Sequence, residues 1–157
     1  SPTGFGLRQA GGPPACVGTV IRTPLVGQAL FDLLTTRPST RWFLSRSFVG
    51  EPDDGLIEYA CATARQPGAR FAPAAFLGGT LFTADAATTL YGPLDVPVLV
   101  VYDRDRYTTF ERVPDFVAGD DRRRVARIPD TLGLPHFEGL EATTSAIEAF
   151  WAESGEA

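Results

Sequence analysis

Apolar and polar positions follow two different periods along this chain, and the change falls near residue 92. Before it the spacing is helical. Over residues 17–36, Val26, Leu30, Leu33 and Leu34 keep the i, i+4, i+7, i+8 pattern of one helix face. Thr23 followed by Pro24 predicts a capped start, and Arg37-Pro38 predicts the stop, because the residue before proline is pushed out of the α region. Residues 39–49 read as a second helix capped by Ser39. A turn over 51–54 leads into a third helix over 56–65, with Ile57, Ala60, Cys61 and Ala64 on one face. Gln66-Pro67-Gly68 breaks it. A fourth helical stretch over 69–82 is interrupted by Pro73 and Gly78-Gly79, and 84–91 closes the series. The first 16 residues are rich in glycine and proline and read as loop; no G-x-G-x-x-G pattern is present.

After residue 92 the pattern becomes that of buried strands. Residues 96–102 form an apolar, β-branched run, with Pro97 near its start and the cluster Asp103-Arg104-Asp105-Arg106 after it. Such a run predicts a strand covered on both faces, as in a parallel sheet. A short helix near 110–118, a second strand over 124–128 and a loop holding His136 follow. A βαβ unit would bring the acid after the first strand and the histidine after the second to one sheet edge, where α/β proteins place their chemistry. A closing helix is predicted over 140–152, with Ala142, Ala146, Ala149 and Phe150 inward and Trp151 packed at its end. Residues 153–157 read as a frayed tail.

Composition narrows the classes. A chain of 157 residues, 44% hydrophobic and 21% charged, can bury one sizeable core. A net charge of −5 argues against nucleic acid as a partner. All 14 basic residues are arginine. The run Asp120-Asp121-Arg122-Arg123-Arg124 reads as a solvated turn and strand start. No apolar run reaches the roughly 20 residues of a membrane span, and no signal peptide is evident, so no membrane partner is expected. Two cysteines, Cys16 and Cys61, are too few for a disulfide scaffold or a zinc site, and read as small buried residues in a reducing, cytoplasmic compartment. The chain contains no methionine and opens on SPTGFG, which leads to the expectation that it is the C-terminal part of a longer protein.

The residues that carry the chemistry resemble a known family. The segment VPVLVVYDRDRYTTFERVPDF resembles the penultimate strand and acid turn of α/β-hydrolases, especially epoxide hydrolases, haloalkane dehalogenases and esterases with a helical cap. In that family an apolar strand is followed by Gly, two residues and Asp. The spacing puts Asp105 at the acid, with Tyr102 where the family has Gly and Asp103 as the alternative acid. LGLPHFEGLEATTSAIEAF resembles the closing motif, in which Gly-His is followed by a residue, Pro, often a second His, another residue and Glu. Gly133 occupies the catalytic histidine slot and His136 the second one. Either the loop is re-registered so that His136 serves as base, or the base has been lost.

The resemblance implies an α/β fold that is partial. It comprises a strand-exit loop over 1–16, a helical cap over 17–91, and the last βαβα of a parallel sheet over 92–157, with the N-terminal sheet missing. It implies a nucleophile–His–acid triad acting on a small, ester-like apolar substrate, with the nucleophile outside this chain, since no serine here has glycines at both flanking offsets. Asp105 and His136 are then the catalytic residues. Aromatic cap residues such as Trp42, Phe43, Phe48, Phe71, Phe76 and Phe82 could line an apolar pocket or simply pack. No metal or organic cofactor is implied, and uncovered sheet surface would favour self-association. On the residues alone, Asp105 also fits a turn residue paired with Arg104 or Arg106, and His136 a hydrogen-bonded loop histidine. A non-catalytic binding or interaction module is the competing reading, favoured by Gly133.

Overall fold

The computed structural model describes residue 5, residues 16–77, residue 83 and residues 85–155. The loop expected over 1–16 lies outside them except for Phe5 and Cys16, as do positions 78–82 of the fourth expected helix, Phe82 included, and residues 156–157. Two compact units emerge. One comprises Ser1–Arg8, Ser47–Val49 and Ala84–Ala157; the other comprises Gln9–Arg46 and Gly50–Thr83.

The second unit is helical: α1 (Cys16–Arg22), α2 (Val26–Leu34), α3 (Arg37–Ser45), α4 (Asp54–Ala64) and α5 (Phe71–Leu77). α1 packs on α2 and α5, and α3 on α4. Where one helix was expected to start at Pro24, the chain turns. Thr23 is not a cap; its Oγ1 donates to the Val20 carbonyl at 2.7 Å. Leu25, at φ 58°, precedes α2 instead. The buried face of α2 is Gly27 and Phe31, while Val26 and Leu33 are exposed. The stripe is therefore rotated about one position from the expected one, because Gly27 is the residue that fits against α1: a Cβ there would collide with the Ile21 and Val20 carbonyls. Arg37-Pro38 opens α3 rather than ending α2, with Pro38 in the first turn where its missing N–H costs nothing. α4 matches its expected face, with Ile57 fully buried, and Asp53 Oδ1 caps it by accepting from Gly55 N at 2.8 Å.

The first unit holds a two-stranded parallel sheet, β1 (Val98–Arg104) and β2 (Arg123–Leu132). It also holds α6 (Val113–Ala118), α7 (Pro135–Glu138), α8 (Leu140–Gly155) and a π-helical turn over Ala87–Tyr91. Both strands begin and end close to the expected places, although β2 runs on to Leu132. Their core gathers Phe5, Ala87, Val100, Val113 and Phe116, with Tyr91 against Phe5 and Phe116. Full burial of a side chain such as Val113 stabilises by about 2 kcal/mol. α8 presents Thr143, Ala146, Ile147 and Phe150 inward, a spacing of i, i+3, i+4, i+7; Ala142 and Ala149 are exposed. Trp151, expected to pack, is 67% exposed, and the helix continues to Gly155 where fraying was expected. Among the described residues, no helix is long and apolar enough to cross a membrane.

Candidate active site

The site is built where the β1–β2 ladder changes register. Pairing runs regularly from Val98 with Arg123 to Tyr102 with Arg127, then resumes with Arg104 opposite Leu132. The extra residues of β2 form a bulge in which Asp130 takes φ 60°. Thr131 Oγ1 closes it by donating to the Ile128 carbonyl at 2.9 Å. Past the bulge, Gly133 N donates to the Arg104 carbonyl at 2.9 Å, which sets residue 133 beside the loop that leaves β1.

Asp105 stands in that loop. Its Oδ1 accepts from Tyr107 N at 2.6 Å and Thr108 N at 2.9 Å, so the local backbone holds one carboxylate oxygen in place. Its Oδ2 faces Gly133: a Cβ on Gly133 would lie 3.5 Å from it. Gly133 itself sits at φ +77°, a conformation that favours glycine.

His136 is the second residue of α7. It is exposed, and its ring lies 4.6 Å from that of Phe137. No hydrogen bond among the described residues joins it to Asp105. The structure thus brings Asp105 Oδ2 together with position 133.

Asp103, the alternative acid, has a different role. Its side chain is 2% exposed. Oδ1 accepts from Arg127 Nε at 2.8 Å, and Oδ2 from Thr131 N at 3.3 Å and, at 3.4 Å, from Arg104 Nε. Burial alone would raise its carboxyl pKa, but the Arg127 and Thr131 hydrogen bonds and the two guanidinium charges outweigh burial and hold it below the usual carboxylate range. With both oxygens engaged, Asp103 ties the end of β1 to the bulge of β2.

Glu138 is a residue the sequence reading passed over, although the closing motif it resembles ends in Glu. Its Oε2 accepts from Leu132 N at 2.8 Å and its Oε1 from Val49 N at 2.6 Å. One carboxylate therefore fixes both the end of β2 and the Ser47–Val49 segment, where Phe48 is buried with its ring 6.2 Å from that of Phe137. Phe48 is accordingly a packing residue of this unit, while Trp42, Phe43, Phe71 and Phe76 are exposed on the helical unit.

An open cleft of about 550 Å³ lies at the carboxyl ends of the strands, lined among others by Asp105, Thr108, Phe110 and Leu132. Among the described residues no group of three His, Cys, Asp or Glu could hold a metal ion.

No protein-family model matches the sequence, and no curated protein matches it. The solved structure of "a putative aryl esterase from Burkholderia cenocepacia" aligns over 92% of this chain with a TM-score of 0.60 and 20% sequence identity. Over the aligned part this chain shares the fold of that protein. It spans 49% of that protein's length, and its mixed helices and parallel strand pair make it a partial α/β fold.

Proposed function

We propose that this chain is the acid-bearing part of an α/β-hydrolase that cleaves a small, ester-like apolar substrate through a nucleophile–His–acid triad, the nucleophile coming from outside this chain. The observation that carries the reading is the state of Asp105. One oxygen is anchored by two backbone N–H groups while the other is directed at the start of the segment after β2. A triad acid needs that arrangement: an anchored carboxylate with one oxygen left to accept the imidazole N–H, fix its tautomer and stabilise the imidazolium. His136, the only histidine of the chain, is the base in this reading, carried to Asp105 by a shift of the 133–136 segment.

A second reading rests on Gly133. The position that faces Asp105 carries no side chain, so the same fold would bind an ester-like ligand without turning it over. Hydrolysis of 4-nitrophenyl acetate by the full-length protein separates the two. Triad chemistry requires turnover in the native protein, and both Asp105→Asn and His136→Ala to lower kcat on the order of 10³-fold or more. Undiminished turnover in His136→Ala would remove His136 as base. Ligand binding without turnover, and without labelling by a serine-directed phosphonate, would establish the non-catalytic reading.

A further inference from the structure

Among the described residues of the first unit, four arginines are engaged by the fold. Arg123 donates to the Phe116 and Gly92 carbonyls, both at 2.9 Å, and stacks on the Phe116 ring. Arg122 pairs with Asp95 and Asp120, Arg112 with Asp85, and Arg124 with Glu153. Arg104 and Arg127 differ. Each spends only its Nε, on the same buried carboxylate of Asp103. Their outer Nη nitrogens have no hydrogen-bond partner among the described residues, and both side chains are more than half exposed, at 56% and 67%. Both line the open cleft, as does Arg106, which has no ion pair among the described residues. Asp105 and Glu111 line it too, yet neither forms an ion pair with these arginines. One buried negative charge thus orients two guanidinium groups at the cleft, whose charged lining is Arg104, Arg106 and Arg127 with Asp103, Asp105 and Glu111. An Nη edge held by its Nε partner has lost the rotamer freedom that a free surface arginine would have to surrender on binding, and guanidinium forks match the oxygens of carboxylates and phosphates.

We propose that Arg104 and Arg127, positioned by Asp103, form an oxyanion-binding site that takes the carboxylate or phosphate group of a ligand in the cleft. The site is independent of whether the triad turns over an ester. Its test is calorimetric titration of the full-length protein with inorganic phosphate and with succinate, at ionic strength held constant with chloride. The expected result is saturable one-site binding of at least one of them. Phosphate bound more tightly assigns a phosphate-bearing ligand; succinate bound more tightly assigns a carboxylate. Arg104→Gln and Arg127→Gln should each weaken binding at least tenfold, whereas Arg65→Gln, an exposed arginine of the helical unit, should leave it unchanged. Arg127→Lys keeps the charge against Asp103 but not the fork, and should also bind more weakly while folding normally by circular dichroism. Absence of saturable binding of both oxyanions, or an equal loss in Arg65→Gln, would overturn the proposal, as would native affinity in Arg104→Gln and Arg127→Lys.

Discussion

Two carboxylates two residues apart, Asp103 and Asp105, illustrate how environment divides roles that spacing cannot. Both follow the apolar run of β1, and both were candidate acids. Asp103 is buried with its two oxygens engaged, whereas Asp105 keeps Oδ2 directed at residue 133. Asp103 is therefore a stability residue with a definite pH signature. Its pKa is lower folded than unfolded, so its contribution is present above the unfolded value of about 3.9 and is lost as pH falls through the folded value. Asp120, drawn down to about 2 chiefly by its hydrogen bonds from Arg122, follows the same sign. Stability should hold from neutral pH to about 4 and then fall as pH drops toward 2. Asp103→Asn should cost about 1–2 kcal/mol at pH 7, reduced from a fully buried pair because Arg127 is largely solvated, and should flatten the acid limb. Urea unfolding at pH 7 and pH 3 measures both; an unchanged difference between the two pH values would refute the role given to Asp103.

Helix and strand types were legible from periodicity, but the faces and ends depended on contacts the pattern does not contain. The α2 stripe is the clear case: Gly27, the smallest residue, is buried because α1 approaches there, and larger neighbours face water. Gly27→Ala would drive a methyl group into backbone carbonyls that cannot swing aside, and should destabilise the helical unit by about 2 kcal/mol or more. Gly50→Ala, which would meet nothing within 4 Å, is the matched control. Comparison of their thermal midpoints checks the packing of α1 on α2. At the end of β2, the bulge and the Glu138 carboxylate decide where residue 133 lies. Neither leaves a periodic trace in the sequence.

At the scale of the whole molecule, two features follow from the helical unit's surface and the short sheet. Leu25, Val26, Leu33, Trp42 and Phe71 are all exposed, and among the described residues β1 pairs with a strand on one edge only. Apolar surface of this kind favours association. Sedimentation velocity of the chain from low to high micromolar concentration should show its average mass rising, and a constant monomer mass would contradict this. The sequence by itself determined the order of elements, the parallel pairing of two strands across a helix, the acid just past the first of them, and the departure at Gly133. These follow from local chemistry: β-branched runs, proline and glycine breaks, and helical spacing act over a few residues. Only the tertiary structure decided that Asp105 Oδ2 faces Gly133, that Asp103 is a buried latch, and that Arg104 and Arg127 share it. Those outcomes join β1 to residues at least 23 positions further along, through a bulge whose register no local pattern encodes.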